Sequence, residues 1–108
     1  MLFRSSCAHL PGVEVDTIPG LLADYCVQRG ATAIVKGVRN GTDLDAEVPM
    51  ALLNRDLGAP ETVLLVAAPA HAHVSSSLVK DVARHGGDVT AFVPAPVLRA
   101  LTRAFAGA

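Results

Sequence analysis

The residue types best suited to holding a phosphate form the triplet Ser75-Ser76-Ser77, at the start of a predicted amphipathic helix. The first turn of a helix offers unpaired backbone N–H groups and a partial positive charge, so nearby hydroxyls complete a site for an anion. The alternative is that one serine only caps the helix, which is the commoner role of serine at this position. One cap needs one serine, so the triplet favours an anion site.

A second candidate is the segment Lys36-Gly37-Val38-Arg39, in which two basic residues flank the pair Gly-Val. A guanidinium clamps a phosphate through two hydrogen bonds, an ammonium supplies a point charge, and Gly37 lets a ligand approach the backbone. Two basic residues on a loop are more often solvated surface, and a glycine is often only a flexible turn. Both this segment and residues 71–77 leave predicted strands, and ligands of parallel sheets bind beyond the carboxyl ends of the strands. We therefore predict that the two segments face one cleft.

Strands and helices alternate along the chain, and the apolar run at residues 62–67 is typical of a strand that is covered on both faces. The predicted elements are a helix within residues 1–9, a strand at 13–18, a helix at 19–28 stopped by Gly30, a strand at 33–35, a helix at 45–57, a strand at 62–67, a helix from the serine triplet to about residue 85, and a helix at 96–105. This alternation predicts an α/β fold with right-handed crossovers and a parallel sheet, in a single domain spanning residues 1–108.

Composition narrows the class of protein. Hydrophobic residues make up 51% of the 108 residues and aromatic residues only 4%, so the core must be built from Val, Leu, Ala and Ile. Lys and Arg total 9 and Asp and Glu total 10, which argues against a nucleic-acid-binding surface. No apolar run approaches the roughly 18 residues of a membrane span, and the opening residues are too few for a signal peptide. Cys7 and Cys26 lack Cys-x-x-Cys spacing, which favours reduced thiols in a cytoplasmic protein.

Two histidines, His71 and His73, are separated by one residue and would share a face of an extended strand. A metal site is conceivable if His9 or Cys7 supplied further ligands. No complete ligand set has motif spacing, however. We therefore interpret these residues as loop histidines and predict no metal site on the protein.

Three segments in order carry a resemblance to a known family: Val35-Lys36-Gly37-Val38-Arg39, the residues from Asp43 to Glu47, and residues 74–80. Together with the turn at residues 86–89 and the tail at 94–101, they resemble phosphopantetheine adenylyltransferase, from about residue 10 to residue 101. The resemblance implies a Rossmann-like parallel sheet of the nucleotidyltransferase type. It also implies transfer of AMP from ATP to 4′-phosphopantetheine in coenzyme A synthesis, with dephospho-coenzyme A and pyrophosphate as products. Mg²⁺ as cofactor and a homo-oligomer, typically a hexamer, are implied as well.

The resemblance also assigns roles to individual residues. It places Lys36 and Leu22 at the phosphopantetheine substrate, and the serine triplet at the phosphates of ATP. The positions implied to bind ATP are Gly37, Val38, Arg39, Glu47, His71, Ala72, His73, Val74, Ser75, Ser76 and Ser77.

The largest departure from the family pattern is the absence of two motifs that contribute to catalysis in the family. The family carries a Gly-[Ser/Thr]-Phe-Asp-Pro turn and a Thr/Asn-x-Gly-His motif whose histidine stabilises the transition state, and neither occurs in these residues. The resemblance therefore implies no catalytic histidine in this chain and an incomplete sheet without its central strands. We expect the 108-residue chain alone to be unstable or reorganised.

Smaller departures fall on the nucleotide side. Leu44-Asp45-Ala46-Glu47 stands where the family has Phe-Glu-Tyr-Glu, and Pro49 lies inside a predicted helix. The effect of Ala46, Pro49, His71 and His73 on ATP binding is left open by the sequence. The alternative function is a catalytically inactive remnant that binds nucleotide weakly or associates with an intact homologue.

Overall fold

The computed structural model describes residues 2–106, which form two compact units. Unit 1 combines the described residues up to Asp16 with those from Val74 onward, and unit 2 is Thr17–His73. The elements in chain order are α1 (Leu2–Cys7), α2 (Leu22–Arg29), β1 (Ile34–Val38), α3 (Gly41–Asp56), β2 (Thr62–Val66), α4 (Ser76–Arg84) and α5 (Ala95–Ala104). The expectation of a single domain over residues 1–108 stays a prediction.

Unit 2 is built on a two-stranded parallel sheet. Strands β1 and β2 pair in register from Ile34↔Thr62 to Val38↔Val66, and α3 makes the crossover between them. Helix α3 packs on β1 and also contacts α2. The α/β class with parallel strands is therefore confirmed, as an incomplete sheet of the Rossmann-like kind that the resemblance implied.

The two faces of this sheet differ. Lys36 and Val38 share one face because side chains alternate along a strand, and Val38 is buried beneath neighbouring residues with 6% of its surface exposed. On the opposite face Val35 is 61% and Leu65 57% exposed. The expectation that residues 62–67 form a strand covered on both faces was wrong. A continuous apolar run shows that a strand could be buried on both faces. Burial itself requires another layer of structure packed against each face.

The strand predicted at residues 13–18 was also wrong, since the structure has no β-ladder there. Period-2 alternation gives only a local preference, and a strand needs a partner to pair with. The segment spans the boundary between the two units at Asp16 and Thr17.

Helix ends follow local signals closely. Helix α2 ends at Gly30, which adopts a left-handed conformation with φ of 66° and donates its N–H to the carbonyls of Cys26 and Val27. Glycine suits this position because it has no Cβ to clash. Helix α3 begins at Gly41, four residues before the predicted start, because the Asn40 side chain caps it. Pro49 lies inside α3, as expected.

Unit 1 is helical. Helix α5 packs against both α1 and α4. The buried apolar residues of unit 1 are Val79, in α4, and Val89. The buried residues of unit 2 are Ala23, Cys26, Val38 and Ala59. Leu and Ile, which composition placed in the core, are absent from the buried set of the described residues, because thin layers of structure cover small side chains more easily than large ones. Within residues 2–106, every helix is too short or too polar to cross a bilayer.

Candidate functional site

Lys36 lies within β1 and its side chain meets α3. The Lys36 Nζ atom is 3.5 Å from Oε2 of Glu47, and the two side chains are 41% and 18% exposed. Two residues that the resemblance assigned to different ligands, the substrate and ATP, therefore form an ion pair. A ligand phosphate that reached Lys36 would share its ammonium with this carboxylate.

Arg39 is the first residue after β1, and Asp43 holds it through three hydrogen bonds. The backbone N–H of Arg39 and its Nε each donate to Asp43 Oδ2 at 2.9 Å. The Nη2 group donates to Oδ1 at 3.2 Å, which completes a bidentate fork. Such charge-assisted pairs with two parallel bonds are the strong class of protein hydrogen bonds.

This fork keeps both groups charged. The side-chain hydrogen bonds from Arg39, reinforced by its backbone N–H, hold the pKa of Asp43 below its ordinary value of 3.8. The hydrogen bonds to the Asp43 carboxylate in turn raise the pKa of Arg39. At neutral pH the pair is thus a fixed cation beside a fixed anion, and both side chains are partly open to solvent.

Gly37 and Val38 belong to β1, so the expectation that the whole segment 36–39 follows the strand was wrong for three of its four residues. Strand β1 continues to Val38 because Gly37 pairs with Leu65 of β2 and Val38 pairs with Val66. A Cβ placed on Gly37 would meet no atom within 4 Å, so the strand backbone is open to close approach there.

The loop after β2 leaves the sheet at the same edge as Arg39, because parallel strands end together. The Ala67 N–H donates to the Val38 carbonyl at 2.8 Å, and His71 N–H closes a turn on the Ala68 carbonyl at 2.9 Å. His71, Ala72 and His73 lie in this turn, with both histidines exposed. Within residues 2–106, no group of three His, Cys, Asp or Glu residues is placed to hold a metal ion.

Unit 1 presents the serine triplet. Ser75 is the N-cap of α4, and its hydroxyl accepts a hydrogen bond from the Leu78 N–H at 3.3 Å. Ser76 and Ser77 stand exposed in the first turn, and in the described part of the chain their hydroxyls make no hydrogen bond. The capping role and the anion-binding role therefore divide among the serines: Ser75 is the cap, and two hydroxyls remain at the helix start.

A largely apolar groove adjoins this helix start within unit 1. It has a volume of about 440 Å³ and is lined by Ser75, Ser76, Val79, Lys80, Phe92 and Val97, among others. Hydroxyls and an ammonium thus meet an apolar wall, which is a combination typical of sites for amphipathic ligands. Val74 also lines this groove.

Leu22 begins α2 and is half-buried, on the helix that carries the buried Ala23 and Cys26. It belongs to the same unit as Lys36. The assignment of Leu22 to the phosphopantetheine substrate stays a prediction.

Sequence reasoning assigned no role to Asn40 and Asp43. Asn40 Oδ1 accepts from the Asp43 N–H at 2.9 Å, which forms one half of a capping box. The signal was present in the sequence, since Asn followed three residues later by an acid marks a helix start. It was missed because the helix was expected to begin later.

The chain matches no protein-family model. Individual relatives match strongly. The chain is 62% identical over 102 residues to a protein of Clavibacter michiganensis subsp. michiganensis named phosphopantetheine adenylyltransferase, an alignment that covers 93% of this chain and 63% of the relative. Proteins of the same name from Kocuria rhizophila and Bifidobacterium longum are 56% and 53% identical, over 93% and 97% of this chain and 65% and 61% of theirs.

The chain thus spans between 61% and 65% of the length of these relatives. The alignments extend over 93% to 97% of this chain. Since more than half of the aligned residues are identical in each comparison, the chain belongs to the phosphopantetheine adenylyltransferase family.

Proposed function

We propose that this chain is a pantetheine-phosphate adenylyltransferase of coenzyme A biosynthesis, which transfers AMP from ATP to 4′-phosphopantetheine and releases dephospho-coenzyme A and pyrophosphate. The single observation that carries the proposal is the 62% identity, over 93% of this chain, to a relative that bears this name. Because the chain spans only part of its relatives, the histidine that the resemblance assigns to the transition state has to be supplied from outside these 108 residues.

In the proposed reaction, this chain binds and orients the two substrates. Arg39 would contact the ATP phosphates, where a guanidinium stabilises charge that develops during transfer. Lys36 would contact the phosphate of 4′-phosphopantetheine, with Leu22 beside the pantetheine arm. Ser76 and Ser77 would donate hydroxyl hydrogen bonds to ATP, together with the backbone N–H groups of the first turn of α4.

Mg²⁺ fits this chain poorly as a protein-held ion. The carboxylates of Asp43 and Glu47 are each paired with a cation, and no cluster of three ligand side chains occurs among the described residues. Mg²⁺ commonly binds through substrate phosphates and water with only one or two carboxylates. We therefore propose that the ion enters with the nucleotide.

The alternative is a catalytically inactive remnant that binds nucleotide weakly or joins an intact homologue. A specific observation favours it: both predicted phosphate-binding cations are already neutralised, Lys36 by Glu47 and Arg39 by Asp43. A bound phosphate would have to compete with these carboxylates or share their cations.

Two measurements on the 108-residue chain separate these functions. Equilibrium dialysis gives its affinity for ATP, and a pyrophosphate assay with and without 4′-phosphopantetheine gives adenylyl transfer. Because the family histidine lies outside these residues, the pyrophosphate assay is run with the segment that carries this histidine added. The proposed function then predicts ATP binding by the 108-residue chain and pyrophosphate release that depends on 4′-phosphopantetheine. Binding without release, or co-purification with a full-length relative, supports the alternative. Absence of ATP binding, pyrophosphate release and co-purification overturns both functions.

Arg39→Ala provides the specific test of the site. Loss of a charge-assisted hydrogen bond to phosphate should weaken ATP binding by about 10- to 100-fold. The matched control is Arg55→Ala, because Arg55 is also an arginine of unit 2 in an exposed ion pair, 2.8 Å from Glu61. ATP affinity should be unchanged in the control, and an equal loss in both variants contradicts the assignment of Arg39.

The homo-oligomeric state and the cytoplasmic location belong to the same proposal. Cys7 and Cys26 are both free thiols, which supports a reducing compartment. Light scattering of the purified chain gives its mass in solution, and a value equal to one chain contradicts the oligomer.

A further inference from the structure

We propose that Asp43 is a positioning residue of the ATP site: its carboxylate fixes the Arg39 guanidinium in the orientation in which that group meets the phosphates of the nucleotide. This inference rests on the proposed function and adds to it a residue to which neither the sequence nor the resemblance assigned a role. Asp43 acts through Arg39 and need not touch the ligand itself.

The contacts restrain Arg39 at both ends of its side chain. Asp43 Oδ2 accepts from the backbone N–H and from Nε, each at 2.9 Å, while Oδ1 accepts from Nη2 at 3.2 Å. Rotation about any torsion of the Arg39 side chain would break at least one of these bonds. A side chain that is already held gives up less rotamer freedom when it binds a ligand.

Asp43 is itself held by the start of α3. Its N–H donates to the N-cap side chain of Asn40 at 2.9 Å, and the Asn40 carbonyl accepts from the Leu44 N–H at 3.2 Å. The guanidinium is therefore anchored through the carboxylate to a hydrogen-bonded helix turn. Functional groups held by rigid elements in this way keep their geometry better than groups on a free loop.

The pair Arg55–Glu61 shows that not every ion pair in unit 2 has this character. Arg55 Nη2 donates a single 2.8 Å hydrogen bond to Glu61 Oε2, and the two side chains are 55% and 66% exposed. Glu61 contacts Arg55 through its side chain, whereas Asp43 grips both the backbone and the side chain of Arg39. An exposed ion pair with one hydrogen bond contributes little order or stability. Asp43 instead accepts hydrogen bonds from both the backbone and the side chain of Arg39, which indicates a role beyond that of a surface salt bridge.

Asp43 also carries a negative charge that repels a phosphate, and this effect opposes positioning. A double-variant cycle separates the two effects. Equilibrium dialysis with ATP would be run on the wild-type chain, on Asp43→Asn, on Arg39→Ala, and on the chain with both substitutions, with Glu61→Gln as the matched control. We expect Asp43→Asn to weaken ATP binding about tenfold when Arg39 is present. When Arg39 is replaced by alanine, we expect Asp43→Asn to cause no loss of affinity, and any gain measures the repulsion alone.

A second readout follows Arg39 without any ligand. Nitrogen-15 relaxation of the Arg39 Nε–H should report an ordered side chain in the wild type and a mobile one in Asp43→Asn, while Glu61→Gln leaves it ordered. A purely structural role of Asp43 at the helix start would lower the melting temperature but would reduce ATP affinity equally in both Arg39 backgrounds. If Asp43→Asn does not fold, Asp43→Ser removes the same carboxylate and tests the same point.

The outcomes are separable from those of the proposed function. A gain in ATP affinity on Asp43→Asn when Arg39 is present overturns the inference, because the carboxylate would then act only by repulsion. An equal loss in both backgrounds overturns it as well. If the wild-type chain binds no ATP, the proposed function fails and the ATP-site role of Asp43 fails with it. Nε–H order that persists in Asp43→Asn, by contrast, overturns the positioning role alone and leaves the proposed function standing.

Discussion

The strand-end cations of unit 2 and the serine helix of unit 1 offer phosphate-binding chemistry of two opposite kinds. In unit 2 the donors are formal charges, and each is paired with a carboxylate, Lys36 with Glu47 and Arg39 with Asp43. In unit 1 the donors at the start of α4 are hydroxyls and backbone N–H groups without formal charge. Within the described residues, Ser75 is the one member of the serine triplet whose hydroxyl makes a hydrogen bond, as the cap of α4.

This difference teaches how each kind of donor is held in place. A long charged side chain has many rotamers, so it needs partners that fix it, and those partners partly cancel its charge. Hydroxyls and N–H groups of a helix start are fixed by the helix itself and need no counter-charge. The charged region therefore depends on its neighbours, and the neutral region depends on the helix.

The largest expected effect in this comparison of the two units comes from Pro49, which lies inside α3. Helix α3 supplies both carboxylates of the charged region, Asp43 and Glu47. Proline has no N–H to donate to the carbonyl four residues earlier and crowds that carbonyl, at a cost of about 3 kcal/mol in a helix interior. Pro49→Ala should therefore raise the free energy of unfolding of unit 2, by up to about 3 kcal/mol. Urea unfolding measures the change, and hydrogen exchange should confine it to α3 and its contacts while α4 stays unaffected.

The two N-caps provide a matched pair of smaller effects. Asn40→Ala and Ser75→Ala should each lower helix stability by about 1 kcal/mol, because each removes the acceptor for an N–H in the first turn. Hydrogen exchange should show the first loss in α3 and the second in α4. Ser77→Ala is the control, since its exposed hydroxyl is not a cap, and its effect should stay within about 0.5 kcal/mol. A loss at Ser77 as large as that at Ser75 contradicts the division of roles among the serines.

The smallest effect is the dependence of stability on pH. Hydrogen bonds lower the pKa of Asp43, chiefly from the Arg39 side chain, and the pKa of Asp88, chiefly from the Thr90 hydroxyl. A lowered pKa in the folded state contributes stability above the ordinary value of 3.8, and this stability is lost as pH falls through the lowered value. Urea midpoints should therefore fall as the solution is acidified from pH 6 to about 3.

Substitution of each acid tells which unit carries this dependence. Asp43→Asn should flatten the pH dependence of exchange in unit 2, and Asp88→Asn should flatten it in unit 1. A pH dependence that neither substitution changes contradicts both assignments.

Local signals in the sequence were enough to locate most elements. The apolar run at 62–67 and the glycine at 30 marked β2 and the end of α2 to within a residue. The start of α3 was missed because its signal, Asn40 followed by Asp43, had not been interpreted as a cap. The strand expected at residues 13–18 failed because pairing depends on a partner and not on alternation.

The candidate site, like the fold, has features that local sequence determines and features that depend on tertiary packing. The sequence by itself determined the residue types that can bind phosphate, their order along the chain and the family they resemble, because these follow from side-chain chemistry and spacing. Only the tertiary structure decided that Lys36 lies inside β1 against Glu47 and that Asp43 grips Arg39. The physical reason is that an ion pair depends on distances between atoms, and the packing of α3 on β1 sets the distance for residues as far apart in sequence as Lys36 and Glu47.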